Sequence, residues 1–318
     1  MRDDKMLCPA ALAVALFVFV AVSFAQQTSP SRNPEWHAMG SAPCVWAAPI
    51  RGLSNALDVS ATIQDLRDNG FDCYVHVIEN APPNTLEDLE RLLPAAQAAG
   101  ISVWPVLIPP SEGGNSLPYK TDYLQWVKAL AQLSLKYSAL RGVNIDDSLI
   151  GISSKTFTRP YLCRLYQTKQ RINPKFLLIP TIYDLDRGVA DRLAGCVDGV
   201  WLWWVNLEMT NGMRSLLEDS QFVVGGRFPV YAGVYARQTS WHQEGDPAPK
   251  ILQRALEIAC RYSDGAVIWN LPLAPKSSMN PLLAVARSFA PGGSATLAGK
   301  CGEANVSAAT LSPHGAKP

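Results

Sequence analysis

Short apolar stretches alternate with longer amphipathic stretches eight times between residues 41 and 290. The short stretches have the nearly continuous apolar character of parallel strands buried on both faces. The long ones carry apolar residues at a spacing of three to four, which is typical of helices with one buried face. Eight strands that alternate with eight helices predict an α/β fold, a closed (β/α)8 or TIM barrel that forms a single domain. The predicted strands are Cys44 to Ala48, Cys73 to Glu79, Ser102 to Ile108, Gly142 to Asp146, Phe176 to Thr181, Gly199 to Val205, Val230 to Ala236 and Ala266 to Asn270.

Glycine recurs at or just before the even-numbered strands, which supports a barrel. The interior of such a barrel is filled in layers by side chains from alternate strands, so a repeat on every second strand fits this architecture. One of the intervening helices is also clearly marked, because Thr85 begins a capping sequence and Gly100 stands where a helix would end. The four recurrent glycines are Gly70, Gly142, Gly199 and Gly265.

The two ends of the chain differ from this pattern. Residues 1–25 are expected to be a signal peptide, because an apolar run from Ala10 to Val22 is followed by the small-x-small sequence that ends at Ala25. The run is shorter than the ~20 residues of a membrane-spanning helix. We therefore expect a secreted or periplasmic protein that has no membrane contact after cleavage. Residues 26–40 are predicted to form a polar leader, and 291–318 a mostly flexible tail.

Six cysteines remain after removal of the predicted signal peptide, an even number that suits disulfides in an exported protein. Their pairing is not determined by the sequence, although a Cys260–Cys301 bridge is favoured because it would attach the tail to the barrel. The cysteines lack CxxC spacing and the chain has only 4 histidines, so we expect no metal centre. The six are Cys44, Cys73, Cys163, Cys196, Cys260 and Cys301.

The charge balance and the missing motifs exclude several function classes. The chain has 28 basic and 27 acidic residues, which gives no electrostatic footprint for nucleic acid. It has no glycine-rich phosphate loop and no GxSxG elbow, so redox, kinase and serine-hydrolase functions are disfavoured and no cofactor is expected. The abundant aromatic residues suit a protein that binds carbohydrate. The sequence leaves the oligomeric state open.

Reactive groups of a (β/α)8 barrel lie at the C-terminal ends of its strands. Carboxylates, aromatic rings and amides dominate these strand ends. Glycosidic cleavage needs one carboxyl group to protonate the leaving oxygen and another to stabilise the cationic sugar. Aromatic rings can stack on the sugar and hold it in place. The catalytic candidates are Asp146 and Asp147. The substrate-binding candidates are Trp46, Glu79, Tyr183, Trp203, Asn206, Glu208, Tyr235, Trp269 and Asn270.

The Ile145-Asp146-Asp147 sequence resembles the end of the fourth strand in substrate-assisted hexosaminidases of the O-GlcNAcase-like type. The resemblance implies a glycosidase in which the acetamide oxygen of an N-acetylhexosamine attacks the anomeric carbon. It further implies that Asp146 orients the acetamide and that Asp147 is the general acid/base. This mechanism needs no separate enzyme nucleophile, and the predicted seventh strand, Val230 to Ala236, contains no carboxylate.

Strand geometry leaves alternatives open. Adjacent strand residues point to opposite faces, so Asp146 and Asp147 can reach one substrate only if the strand breaks at Ile145 or Asp146. Without such a break, one of the two is a structural residue. The protein would then be a retaining glycosidase that pairs Asp147 with a second carboxylate. The missing carboxylate on the predicted seventh strand also leaves open a non-catalytic glycan-binding barrel. The candidates for that second carboxylate are Glu208, Glu244 and Glu79.

Overall fold

Eight parallel strands close into a barrel in the order in which they occur along the chain, which confirms the predicted fold. The computed structural model describes residues 39, 42–206, 210–236, 248–273, 281–291 and 293, all within one compact unit that spans 32–318. The strands are β1 (Cys44–Trp46), β2 (Cys73–Ile78), β3 (Ser102–Leu107), β4 (Gly142–Ile145), β5 (Leu177–Ile182), β6 (Val200–Trp203), β7 (Val230–Tyr235) and β8 (Ala266–Trp269).

Helices cover the outside of the barrel. The predicted start of the helix Leu86–Ala99 is confirmed, because the Thr85 hydroxyl accepts from the Asp88 backbone N–H at 3.1 Å and the Asp88 carboxylate accepts from Thr85 N at 3.2 Å. The helices are α1 (Val59–Asp68), α2 (Leu86–Ala99), α3 (Tyr123–Lys136), α4 (Ser153–Thr156), α5 (Arg159–Ile172), α6 (Arg187–Leu193), α7 (Thr210–Val224), α8 (Pro249–Tyr262) and α9 (Pro281–Ser288). Within the described ranges, no helix has both the length and the apolarity to cross a membrane.

The barrel interior is filled by large aromatic side chains that pack against glycines. A Cβ atom on Gly142 would lie 2.5 Å from the Trp104 ring, and one on Gly265 would lie 3.1 Å from the Tyr231 ring. A Cβ atom on Gly199, which precedes β6, would lie 3.2 Å from the same Tyr231 ring. These glycines therefore recur because the interior has no room for a side chain beside the rings. Gly70 has a different role, since it has φ 75° directly after α1.

Three aspartates fix the positions of neighbouring strands at the N-terminal end of the barrel. Each precedes an even-numbered strand and accepts a hydrogen bond from a backbone N–H at or near the start of the odd-numbered strand beside it. The bonds are Ala42 N to Asp72 at 3.2 Å, Leu178 N to Asp198 at 2.7 Å and Val230 N to Asp264 at 2.9 Å. These contacts give Asp198 and Asp264 structural roles at the end of the barrel opposite the C-terminal ends of the strands.

Asp198 also takes part in a buried ion pair. Lys169 Nζ lies 2.7 Å from the carboxylate, and the lysine side chain is 0% exposed. Burial lowers the pKa of Lys169 and raises that of Asp198, while the attraction between the two charges opposes both shifts. Removal of either partner would leave a buried charge without compensation.

Two disulfides join elements that are adjacent in the fold. Cys44–Cys73 connects the first residues of β1 and β2, and Cys163–Cys196 connects α5 to the segment after α6. Cys260 is disulfide-bonded as well, and its predicted partner Cys301 lies outside the described residues. So do the predicted signal peptide and nearly all of the predicted leader and tail. Met39, from the predicted leader, packs into the interior, where its sulfur accepts from Trp201 Nε1 at 3.1 Å.

Candidate functional site

Asp146 faces the mouth of the barrel, which we define as the space at the C-terminal ends of the strands. Two residues earlier, Asn144 points inward and donates to Ile179 O at 2.7 Å and to the Thr181 hydroxyl at 3.1 Å. Asp146 continues on the same side of the strand, and the Thr181 hydroxyl also hydrogen-bonds to it. Its backbone N–H donates to Leu107 O at 3.1 Å, which holds it beside the end of β3.

The alternation of side chains stops at Asp147. Strand β4 ends at Ile145, and Asp147 has φ 39°, in the left-handed region that non-glycine residues rarely adopt. Ser148 holds the turn in place, because its N–H and hydroxyl both donate to Thr181 O, at 3.3 and 3.0 Å. The Asp147 N–H donates to Asp146 Oδ1 at 3.1 Å. The regular strand thus ends before the two aspartates, so strict alternation no longer separates their side chains.

The two carboxylates influence each other's ionisation. Burial raises the pKa of Asp146 well above its usual range, and the charges of Asp147 and Glu112 raise it further. Burial also raises the pKa of Asp147, although hydrogen bonding from Tyr183 offsets part of that effect. Asp147 Oδ1 is buried and has no hydrogen-bond partner among the described residues. Because two close carboxylates resist losing both protons, the pair can hold one proton and release it to a ligand.

Two tyrosines extend this polar group. The Tyr183 hydroxyl interacts with the Asp147 carboxylate and with the Tyr235 hydroxyl. Burial raises the pKa of both tyrosines above their ordinary value, and the nearby carboxylates reinforce the shift. Both phenols are therefore protonated at neutral pH. A protonated phenol can donate its hydrogen to the Asp147 carboxyl group.

Aromatic rings line the mouth beside the carboxylates. The Tyr235 ring lies 5.2 Å from Trp203 and 5.4 Å from Trp269, and Trp46 lies 5.9 Å from Trp203, all between ring centroids. Trp203 Nε1 donates at 3.3 Å to Thr181, the residue that also supports Asp146. Tyr235 and Trp269 are partly exposed and can stack on the apolar faces of sugars. The predicted binding residues Trp203 and Trp46 are instead buried, with 3% and 8% of their surface exposed, because they pack against the other rings of the interior.

The other predicted binding residues are not joined to this group by any contact that the structure describes. Glu79 accepts from Asn84 Nδ2 at 3.0 Å within its own loop. The carbonyl of Asn206 accepts from Trp204 Nε1. Asn270 directly follows β8 and has φ 58°. Two further candidates lie outside the described residues, Glu208 and Glu244.

One acidic residue in this group has no counterpart among the predicted site residues. Glu112 ends a short 3-10 helix (Pro110–Glu112) in the loop after β3, and its charge acts on both Asp146 and Tyr235. The sequence alone gives it no role, because loop conformation decides where it points. The Gly113-Gly114 pair that follows it is the available sequence indication of a sharp turn.

The structure therefore belongs to the class of (β/α)8 barrels with acidic and aromatic residues at the mouth. No protein-family model and no curated protein matches the sequence. A GH27 β-L-arabinopyranosidase from Geobacillus stearothermophilus superposes with a TM-score of 0.56 at 9% identity, covering 81% of this chain and 78% of that one. An endoglucanase from Thermotoga maritima gives 0.54 at 13% identity, with 79% and 98% covered. A GH18 chitinase from Pseudoalteromonas aurantia gives 0.51 at 15% identity, with 76% and 97% covered. These likenesses establish a barrel of the kind found in glycoside hydrolases.

Proposed function

We propose that the protein is a secreted or periplasmic glycoside hydrolase whose catalytic residues are Asp146 and Asp147. The observation that carries this proposal is the break of β4, which directs two adjacent carboxylates to the mouth of the barrel. Their raised pKa values suit the exchange of a proton with a glycosidic oxygen near neutral pH. The disulfides fit an oxidising compartment, and the structural neighbours that act on glycosides favour a carbohydrate substrate.

The finer proposal is substrate-assisted cleavage of an N-acetylhexosamine. Asp147 gives its proton to the leaving oxygen while the bond from that oxygen to the anomeric carbon breaks. The acetamide oxygen, oriented by Asp146, forms a new bond to the anomeric carbon and produces an oxazolinium intermediate. Asp147 then takes a proton from water, which attacks the anomeric carbon and reopens the ring. This order of events needs no carboxylate on β7, whose residues Val230–Tyr235 include none.

Substrate binding in this proposal uses the aromatic rings and the tyrosine hydroxyls. Tyr235 and Trp269 offer ring faces to the sugar, and the buried Trp203 packs against Tyr235 and supports it. Tyr183 donates to Asp147 and restrains its direction. Without the tyrosine, the carboxylate would have less support for the orientation in which it meets the glycosidic oxygen. Loss of the Tyr183 hydroxyl should therefore lower kcat more than it weakens binding.

The test compares Asp147→Asn and Asp146→Asn with wild type on a panel of 4-methylumbelliferyl glycosides that includes the N-acetylglucosaminide. We expect each variant to lose roughly 10²–10⁴-fold in kcat/KM, the usual contribution of general acid–base catalysis. Asp186→Asn is the matched control, since Asp186 caps α6 by accepting from Val189 N at 2.7 Å and asparagine caps equally well. Wild-type turnover by the folded Asp147 variant would contradict the assignment.

Two alternatives predict different results on the same panel. A retaining enzyme that uses Asp147 with Glu79, Glu208 or Glu244 would form a covalent adduct with 2-deoxy-2-fluoro glycosides, visible by mass spectrometry, whereas substrate assistance would not. A non-catalytic glycan-binding barrel is favoured by the lack of a carboxylate on β7. Calorimetric binding of a glycan that is never converted to product would support that second function.

A further inference from the structure

Thr181 lies directly beside the paired aspartates, on the neighbouring strand β5, and its side chain is fully buried. Strands β4 and β5 pair with Ile145 opposite Pro180. The next residues along the two strands are Asp146 and Thr181, which therefore lie side by side. Beyond the aspartates, the N–H and the hydroxyl of Ser148 both donate to Thr181 O, at 3.3 and 3.0 Å. The chain is thus attached to Thr181 on both sides of the aspartate pair.

Two N–H donors from the adjacent strands point at the Thr181 hydroxyl oxygen. Asn144 Nδ2 on β4 lies 3.1 Å from it, and Trp203 Nε1 on β6 lies 3.3 Å from it. The orientation of the Asn144 amide is fixed, because Nδ2 also donates to the backbone oxygen of Ile179 at 2.7 Å. A hydroxyl oxygen has two lone pairs, and an indole N–H can only donate. The two donors therefore occupy both lone pairs of the Thr181 hydroxyl.

The hydrogen of the Thr181 hydroxyl has two acceptors within reach. One is Asn144 Oδ1, which lies 3.2 Å from the hydroxyl oxygen, and the other is the Asp146 carboxyl group. A hydroxyl that accepts from the nitrogen of an amide and donates to the oxygen of the same amide makes two strongly bent bonds, and bent bonds are weak. An ionised carboxylate also accepts more strongly than a neutral amide. The hydrogen is therefore directed to Asp146.

The Asp146 carboxyl group thus has two donors within the protein. The Asp147 N–H donates to Asp146 Oδ1 at 3.1 Å, and the Thr181 hydroxyl donates from the neighbouring strand. Two donors in fixed positions restrain the rotation of a carboxyl group. Trp203, with 3% of its surface exposed, also acts on the site through this hydroxyl, because its N–H keeps the hydroxyl from turning away.

We propose that Thr181 is a positioning residue of this site, whose hydroxyl, oriented by Asn144 and Trp203, fixes the direction in which the Asp146 carboxyl group meets the acetamide of the substrate. The proposal rests on the proposed function, because that function gives Asp146 the task of orienting the acetamide. Thr181 is fully buried and acts on the substrate only through Asp146. In the opposing case, the hydroxyl donates to Asn144 alone and merely joins the strands.

The test measures the ionisation of Asp146 directly in the full-length protein. Aspartate labelled with ¹³C at the side-chain carboxyl is incorporated, Asp146→Asn identifies the resonance, and its shift is followed from pH 4 to pH 9. A donor to a carboxylate stabilises the charged form, so the loss of that donor raises the pKa of the carboxyl group. We expect Thr181→Val, which keeps the shape but lacks the hydroxyl, to raise the Asp146 midpoint by roughly one pH unit. Thr181→Ser keeps the hydroxyl and should titrate as wild type does.

Thr62→Val is the matched control for the loss of a buried hydroxyl. Thr62 is also fully buried, and its hydroxyl donates to Asp58 O at 2.8 Å and accepts from Ile50 N at 3.0 Å. This variant should leave the Asp146 titration unchanged. If Thr181→Val does not fold, Thr181→Cys replaces it, because a thiol is a weak donor and should shift the midpoint in the same direction by less. The other ionisable groups that act on Asp146 are unchanged in all these variants, namely Asp147, Glu112, Tyr183 and Tyr235.

The same variants separate this proposal from the proposed function. If wild type hydrolyses the N-acetylglucosaminide, Thr181→Val should lower kcat by roughly tenfold with a smaller change in KM, because a misplaced group costs up to about 10²-fold, and Thr181→Ser should retain the activity. An Asp146 titration that is identical in wild type and in the folded Thr181 variant without the hydroxyl would overturn the role of Thr181, whatever the activity. An equal shift in Thr62→Val would overturn it as well. A shift confined to the Thr181 variant, together with no hydrolysis of any glycoside, would support the role of Thr181 and refute the proposed function.

Discussion

We expect the burial of His76 to make the folded protein less stable as the pH becomes acidic. It lies on β2, faces α2 and is fully buried, and burial lowers its pKa from the ordinary 6.5 to about 4. The Thr85 backbone and the charge of Asp88 offset only part of that effect. The unfolded chain therefore binds a proton near pH 6.5 that the folded protein does not bind until about pH 4. Stability from this group is fully present above pH 6.5 and decreases as the pH falls toward 4.

The size of the effect follows from the two pKa values. At ~1.4 kcal/mol per pKa unit, the full loss is about 3 kcal/mol, of which about 2 kcal/mol occurs between pH 7 and pH 4.5. His76→Leu has similar volume and removes the titration. Because leucine avoids the cost of burying the polar imidazole, the leucine variant should be at least as stable as wild type at pH 7.

Urea denaturation at pH 7, 6, 5 and 4.5 measures the difference between the two proteins. We expect the leucine variant to become more stable relative to wild type by about 2 kcal/mol over that range. Tyr74→Phe is the control, since Tyr74 lies two residues earlier on the same face and its pKa is raised above the ordinary value, far from this pH range. This variant lacks the 3.0 Å hydrogen bond from the Tyr74 hydroxyl to Ala47 O, so its loss of stability should be the same at every pH. Parallel pH profiles for wild type and His76→Leu would refute the argument.

Three further changes test the packing, the disulfides and the buried charges. Gly233→Ala places a Cβ 2.3 Å from the Trp203 ring, so we expect a loss of about 1–3 kcal/mol in stability and weaker glycan binding, measured by denaturation and calorimetry. Unchanged affinity would show that Trp203 does not contribute to glycan binding. Replacing Cys163 and Cys196 together by alanine opens a loop of 33 residues and should lower the free energy of unfolding by about 4 kcal/mol. An unchanged Tm in calorimetry would contradict this. Lys169→Met should cost about 3–5 kcal/mol at pH 7, because its carboxylate partner stays buried, and less at pH 5, where that carboxylate can be protonated. Equal losses at both pH values would show that the aspartate remains charged.

The barrel is predictable from sequence because each strand is buried on both faces and each helix has one buried face. The recurrence of glycine at the even-numbered strands is visible in the sequence, but its cause is visible only in the structure. Gly142 and Gly265 leave space for the Trp104 and Tyr231 rings. The Cys44–Cys73 pair is not chosen by spacing alone. It follows once the register is known, because Val45 lies opposite Tyr74 and brings the preceding cysteines together.

The candidate site is less predictable, because its geometry depends on single backbone torsions. The sequence identifies Asp146 and Asp147 but contains no glycine or proline to indicate a break at that point, and the φ of 39° is held by the Ser148 contacts with another strand. The loop that carries Glu112 is joined to the loop after β4 by a serine contact between residues 42 positions apart. Interactions of this kind are set by tertiary structure, and no local sequence pattern indicates them.

The aspartates at the N-terminal end of the barrel have a consequence for protein engineering. Asp72, Asp198 and Asp264 set the positions of neighbouring strands from the end opposite the mouth. Loops at the mouth can then be exchanged while strand alignment is preserved. A chimaera that receives a βα loop from another barrel should keep its scaffold, so new specificities could be grafted onto this chain one loop at a time.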